Sequence, residues 1–165
     1  MASKTKPAHP HRWVGFLLVK LVIMSYTIRR KAVAAVDERT EYWLELAEYD
    51  LQTARVMLNG KRYLYVGFMC HQTIEKALKA VIARDCAEGE MPPKIHHLLK
   101  LADRAGILQK MSNEQQTFIR ELTPMHVEAR YPAYKDAIAA GLTSEICKDL
   151  LAGTEKLLCW IKEQS

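Results

Sequence analysis

One short segment places polar groups that could bind an anion on an otherwise apolar stretch. Its polar side chains are Gln72, Glu75, Lys76 and Lys79, and Gln72 lies three and four residues before Glu75 and Lys76, as Lys79 lies four and three residues after them. On an α-helix these steps place the side chains along one edge, and two ammonium groups on one edge can meet a phosphate. The same spacing also fits a solvated face on which Glu75 and Lys79 form an ion pair, with each lysine contributing about tenths of a kcal/mol. Spacing alone leaves both interpretations open.

Histidines beside this segment and after a proline-containing loop could act in acid–base chemistry. His71 precedes Gln72 on a predicted buried helix, which is typical of a hydrogen-bonded core or interface histidine. His96 and His97 begin a later helix, without carboxylate or cysteine neighbours at ligand spacing. The sequence therefore predicts no metal site and no cofactor, and it contains no P-loop, dinucleotide fingerprint or nucleophile elbow.

Four segments resemble, in the same order, the motifs of the HEPN domain family (higher eukaryotes and prokaryotes nucleotide-binding). They are residues 40–57, the signature helix at 68–80, the run Pro93-Lys94-Ile95-His96-His97-Leu98, and the element Ala129-Arg130-Tyr131-Pro132. Two positions depart from the family pattern, since His97 stands where Asp is frequent and Thr73 where Ala is common. The resemblance implies an HEPN domain at 40–163, preceded by an N-terminal extension at 1–39.

The resemblance also implies a function. The Ala-Arg-Tyr-Pro element is similar to the branch described as a substrate-binding partner of nucleotidyltransferases. We therefore expect a homodimeric module that binds a nucleotide or RNA beside a minimal nucleotidyltransferase. The expected ligand-binding residues are Gln72, Glu75, Lys76, Lys79, His96, Arg130 and Tyr131. Arg130 could hold a phosphate or pair with Glu75, and Tyr131 could stack on a base or belong to the core.

An alternative is a metal-independent ribonuclease of the toxin–antitoxin type. Many HEPN proteins cleave RNA with an Arg-x(4–6)-His motif, and Arg120 and His126 have five residues between them. The His can act as general acid or base, and the Arg can stabilise charge on the phosphate. Pro124 interrupts this segment, and the Ala-Arg-Tyr-Pro branch commonly lacks the pair. We therefore rank the ribonuclease second and a purely structural interaction protein third.

These residues must be positioned by helices. The apolar periodicity predicts five helices and no strand, which indicates an all-α, up-and-down bundle of four to five helices, HEPN-like in fold. The predicted helices run from Asp37 or Thr40 to Leu58, from Tyr63 to Arg84, from His96 to Ala105, from a capping box at Ser112 to a pause near Pro124, and from a cap at Thr143 or Ser144 along the apolar stripe Ile146, Leu150, Leu157, Leu158 and Ile161.

Composition agrees with one globular domain of 165 residues, of which 49% are hydrophobic. The net charge of +5 is local, because eight Lys and Arg precede Thr40 and the remainder has 16 basic and 17 acidic residues. Global charge therefore does not support a nucleic-acid partner. The four cysteines lack a C-x-x-C spacing, and Cys70 and Cys159 lie among apolar helical residues. We expect buried free thiols and a cytoplasmic location.

The first residues allow several interpretations. Residues 13–23 are apolar but contain Lys20, so they are too short and too charged to span a bilayer. They could form a signal peptide that ends near Ala32-Val33-Ala34, or a peripheral membrane attachment. We prefer the interpretation that Met24 is the true start.

Overall fold

The computed structural model describes residues 11–87, 90–126 and 141–165, with side chains described at 24, 25, 27, 29, 30 and from 38 onward. Its helices are α1 (His11–Asn59), α2 (Tyr63–Asp85), α3 (Leu98–Arg104), α4 (Asn113–Leu122) and α5 (Ser144–Lys162), with 3-10 segments η1 (Leu108–Lys110) and η2 (Thr123–His126). No strand occurs in these ranges. The predicted all-α class is confirmed.

The chain divides into two compact units, Met1–Ala35 and Val36–Ser165. In the first unit, the described residues are helical from His11 onward. The second unit is a helical bundle that contains the polar segment. The predicted division after residue 39 stays a prediction.

Several helix ends follow directly from local sequence. The Ser112 hydroxyl accepts a hydrogen bond from the Gln115 backbone N–H, and the Gln115 side chain accepts one from the Ser112 N–H, which completes the predicted capping box of α4. The Thr143 hydroxyl accepts a hydrogen bond from the Ile146 backbone N–H and so caps the first turn of α5. The chain changes from α to 3-10 geometry between Leu122 and Thr123, so the predicted pause near Pro124 is confirmed.

The predicted start of the first helix at Asp37 or Thr40 is wrong, because α1 begins at His11. The chain contains no Gly or Pro between Gly15 and Gly60, so nothing in the local chemistry ends a helix within that stretch. The predicted stop at Asn59-Gly60 is confirmed.

Helix α2 lies at the centre of the bundle. Among the described residues it packs extensively against α5 and also contacts α3, α4 and η2. Its buried apolar residues belong to one core with residues of α1, α3, α4 and α5, as Ala47, Leu51 and Ala54 show for α1. Burial of these side chains provides the main favourable free energy of folding, and it fixes the polar segment of α2 inside the bundle.

Two glycines permit close packing between elements of the bundle, one between α2 and η2 and the other between α5 and α4. A Cβ added to Gly67 on α2 would lie 2.6 Å from Met125 Sδ on η2, and one added to Gly153 on α5 would lie 2.6 Å from the Phe118 ring on α4. Real Cβ atoms essentially never make contacts this short, so the absent side chains let η2 and α4 approach their neighbours. The approach at Gly67 brings η2 onto α2.

The cysteines are free, and Cys70 is fully buried as predicted. Burial raises the pKa of the Cys70 thiol to about 11. Two other predictions on burial are wrong, because Cys159 is exposed and Ile146 is 44% exposed. Ile146 was assigned to the apolar stripe by periodicity and Cys159 was placed among apolar neighbours, but α5 buries a narrower face than these patterns indicate. Among the described residues, we find no helix that combines the length and the apolar character needed to cross a bilayer.

Candidate functional site

The polar segment of α2 splits into two rows. The buried row consists of His71, Glu75 and Lys79, which follow one another at four-residue intervals. The surface row consists of Gln72 and Lys76. Side chains of the buried row are at most 8% exposed, whereas Lys76 is 20% exposed. One helix therefore presents similar polar groups to two different environments.

The Glu75 carboxylate is the centre of the buried row. Its Oε1 accepts a hydrogen bond of 2.6 Å from Lys79 Nζ, and its Oε2 accepts one of 3.0 Å from His96 Nδ1. His71 Nε2 lies 3.4 Å from Oε2. Burial by itself raises the pKa of a carboxyl, but the interactions with these three groups outweigh burial and hold the pKa of Glu75 well below its ordinary value. Glu75 is therefore ionised inside the bundle.

His96 is the member of this cluster that reaches solvent. Its side chain is 51% exposed, and its ring stacks on the ring of His126 with centres 4.1 Å apart and planes 13° apart. An ionised carboxylate only accepts hydrogen bonds, so His96 Nδ1 carries the hydrogen that Glu75 receives. The remaining ring nitrogen, Nε2, is then the one that a ligand can use. The stack and the carboxylate together fix the orientation of the imidazole.

His126 connects the cluster to η2. It is buried, with its ring centre 5.0 Å from that of His71 and 6.2 Å from that of Phe68. His71 is fully buried, and its Nδ1 lies 2.9 Å from the carbonyl oxygen of Leu122. Because a carbonyl only accepts, Nδ1 of His71 donates this bond. The prediction that His71 is a hydrogen-bonded core residue is confirmed.

Lys79 is not solvated, contrary to the interpretation of the segment as a solvated face. It is 6% exposed, and its Nζ lies 5.6 Å from the centre of the Trp43 ring on α1. The predicted ion pair with Glu75 is present, but it lies in the interior. The ammonium group is held between a carboxylate and an aromatic face.

The surface row has a different set of partners. Lys76 Nζ donates to Gln72 Oε1 at 2.8 Å and to Asp50 Oδ2 on α1 at 3.2 Å. This arrangement joins α1 to α2 close to the surface. Each lysine of the polar segment is thus paired with one carboxylate, so the two lysines add no net charge to the site.

Glu75, His96 and His126 offer ligand atoms that lie within 4.8 Å of one another, which suggests a metal centre. The geometry of the rings does not fit one. An imidazole binds a metal through a lone pair in the plane of its ring, and the nearly parallel planes of a stacked pair do not meet at a common ion. Lys79 also occupies the other carboxylate oxygen. Among the described residues, this cluster fits hydrogen bonding and stacking better than metal coordination.

The family is decided by a match to the family model described as HEPN domain, over residues 40–164. The chain belongs to the HEPN domain family. The match covers most of the chain and includes α2, the His96 segment and η2.

Solved structures agree on the HEPN fold. The crystal structure of TT1696 from Thermus thermophilus is similar with a TM-score of 0.65 and 23% identity, over 77% of this chain and 98% of that one. The structure of ST0689, an archaeal HEPN homologue, is similar with a TM-score of 0.58 and 24% identity, over 76% of this chain and 97% of that one. Comparison with curated proteins gave no significant match. At these identities the two structures show the fold alone.

The HEPN bundle brings together residues that the sequence assigned to separate groups. His126 was predicted as one half of a catalytic pair, and it lies against His96 of the predicted ligand site. Its predicted catalytic partner, Arg120, is exposed on α4 and donates to Gln116 Oε1 at 3.4 Å. The described contacts thus connect His126 to the buried row and Arg120 to its own helix.

Two predicted ligand residues, Arg130 and Tyr131, lie outside the described residues. Three contributors were missed by sequence reasoning: Trp43 below Lys79, Asp50 beside Lys76, and the Leu122 carbonyl that binds His71. A hydrophobic or acidic residue on a neighbouring helix carries no sign in the sequence that it faces α2. Only the packing of the HEPN bundle reveals these partners.

Proposed function

We propose that this HEPN domain is a nucleotide- or RNA-binding module that acts beside a small nucleotidyltransferase. The observation that supports it most is the placement of His96, which is half exposed while its Nδ1 is fixed by the buried Glu75 carboxylate. An imidazole held in this way presents Nε2 in one direction, and it can donate to a phosphate when protonated or accept from a base edge when neutral. The Ala129-Arg130-Tyr131-Pro132 element supports the nucleotidyltransferase partner.

The lysines take a supporting role in this proposal. Lys79 neutralises Glu75 and Lys76 is paired with Asp50, so attraction of a phosphate rests mainly on His96 and on Arg130. Gln72 and Lys76 lie on the adjacent surface row and would line the edge of the bound ligand. Tyr131 would supply a ring on which a base stacks.

The proposed module is a homodimer located in the cytoplasm. All four cysteines are free, which fits a reducing compartment. The dimer follows from the family resemblance.

The test is a binding titration of wild-type protein, His96→Ala and His97→Ala with ATP and with a short single-stranded oligoribonucleotide. His97 is the matched control, since it is the next residue and is exposed at the start of α3 without a side-chain cap bond. We expect His96→Ala to lose about tenfold or more in affinity, the equivalent of one charged hydrogen bond, and His97→Ala to bind as the wild type. Equal affinity in all three proteins would contradict the proposal.

A metal-independent ribonuclease of the toxin type is the second candidate. Its support is the stack of His96 and His126 against a carboxylate, since two imidazoles can serve as general acid and general base without a metal. Arg120 would be the group that stabilises phosphate charge, but it bonds to Gln116 on the surface of α4. We therefore expect no cleavage of RNA in EDTA by the wild-type protein. Cleavage that is lost in both Arg120→Ala and His126→Ala would promote this candidate over the first.

A further inference from the structure

One face of α1 carries large apolar side chains that are exposed at regular intervals. Tyr42 is 55% exposed, Tyr49 72% and Val56 64%, and they are seven residues apart. Seven residues are nearly two turns, so these side chains form one stripe, which drifts by about 20° per repeat and extends about 21 Å. Single exposed apolar residues are common on monomers, but a row at this spacing along one helix is typical of helix pairing.

The core does not use this stripe. Helix α1 contributes Ala47, Leu51 and Ala54 to the core of the bundle, on a different face of the helix. More than half of the Tyr42 side chain and of the Tyr49 side chain is therefore left exposed, although the Tyr42 ring meets the edge of the Trp43 ring.

Charges on α1 and in the turn that follows it have opposite signs at the two ends of the stripe. Exposed Glu38 and Glu45 lie on the stripe side near its beginning, and exposed Lys61 and Arg62 follow its end. If two copies of α1 pair antiparallel, the acids of one copy lie beside the bases of the other. A parallel pair would bring like charges together, which is unfavourable. The face is therefore complementary to itself when turned through a two-fold axis near Tyr49.

A groove of about 550 Å³ runs beside the stripe, and its lining includes Leu44, Tyr49, Gln52 and Lys162. Tyr49 belongs to both the stripe and the groove, and the groove lining also includes Glu41, Glu45 and Glu48. A two-fold axis near Tyr49 would place the Tyr49 ring of one copy at the groove of the other copy, as side chains of one helix fit between those of the next in paired helices.

We propose that Tyr42, Tyr49 and Val56 form the face on which a second copy of this chain packs, with the two α1 helices antiparallel. This inference rests on the homodimer of the proposed function and does not depend on nucleotide binding. A helix pair of this length covers less than the roughly 800 Å² per partner of a standard interface. The dimer therefore dissociates on dilution.

Sedimentation velocity over a range of protein concentrations tests the proposal. The wild type is expected to be dimeric at high concentration, and Tyr49→Glu and Val56→Glu are each expected to be monomeric at the same concentration. Tyr65→Glu is the matched control, because Tyr65 is 52% exposed on α2 rather than on α1, and it should dimerise as the wild type does. Circular dichroism checks that each variant keeps its helices.

Charge reversal tests the antiparallel arrangement. Glu38→Lys should weaken the dimer roughly two- to tenfold, because two symmetric surface pairs are lost, and adding Lys61→Glu should restore it. If Tyr49→Glu and Val56→Glu dimerise like the wild type, the face is wrong while the homodimer stands. If the wild type is monomeric at every concentration, both the face and the homodimer are wrong, and the titration with ATP and RNA judges the binding proposal separately.

Discussion

The two rows of α2 carry similar residues and differ in depth. In the buried row, Glu75 and Lys79 form an ion pair with 2% and 8% of their side chains exposed. In the surface row, Lys76 pairs with Asp50 at 20% and 19% exposure. The comparison shows that the type and spacing of charged residues do not determine their role. Packing around the buried row converts an ordinary helix pair into a rigid support for His96.

The largest difference between the buried row and the surface row is expected in the free energy of unfolding that is lost when a carboxylate is removed. Glu75→Ala leaves the Lys79 ammonium group buried without its carboxylate, and removing one partner of a buried pair costs about 3–5 kcal/mol. Urea unfolding followed by circular dichroism measures this loss. Asp50→Ala is the matched control on the surface row, where we expect a loss of about 1 kcal/mol or less. Equal losses in the two variants would remove the distinction between the rows.

A smaller difference is expected in the response to acid. The folded protein holds the pKa of Glu75 below its ordinary value of 4.5, so the carboxylate stabilises the fold above that value. This stabilisation is lost as the pH falls below 4.5 towards the pKa of the folded state. Between about pH 5 and pH 3 the free energy of unfolding should therefore fall more steeply in the wild type than in Glu75→Gln. Parallel curves would show that Glu75 does not contribute to acid sensitivity.

The smallest effect is expected from Lys76, in contrast to Lys79, when each lysine is replaced separately. The sequence favoured treating Lys76 and Lys79 alike, as solvated side chains worth about tenths of a kcal/mol. The structure keeps that expectation for Lys76→Ala, which should change the melting temperature by only a few degrees. Lys79→Ala should destabilise the protein clearly more, since it leaves Glu75 buried with fewer donors. Thermal unfolding of the two single variants, compared side by side, would contradict this ranking if the Lys76 variant were the less stable.

Much of the fold was predictable because its signals are local. The bounds of α2, the capping box at Ser112 and the cap at Thr143 depend on residues within one turn of each other. The start of α1 at His11 was missed, because the prediction placed it near residue 40, where the family resemblance begins. A helix ends at residues that disfavour helical geometry, such as Gly or Pro, and neither occurs between Gly15 and Gly60.

The candidate site was predictable only in part. Glu75 and His96 were named from the family motifs, and the structure joins them at 3.0 Å. The burial of Lys79 was missed because it depends on Trp43, which lies on another helix. The stack of His96 on His126 was missed because it depends on the close approach of η2 to α2 at Gly67. Such contacts between distant residues leave no periodic pattern in the sequence.

The central claim is that Glu75 orients His96 towards a nucleotide or RNA ligand. The most direct test follows the imidazole nitrogens by NMR in protein labelled at histidine, during titration with ATP and with a short single-stranded RNA. We expect the Nε2 signal of His96 to shift, its Nδ1 to keep the hydrogen bonded to Glu75, and the signals of the neighbouring His97 to stay in place. A ligand that shifts His97 and leaves His96 unchanged, or that shifts neither, would contradict the account.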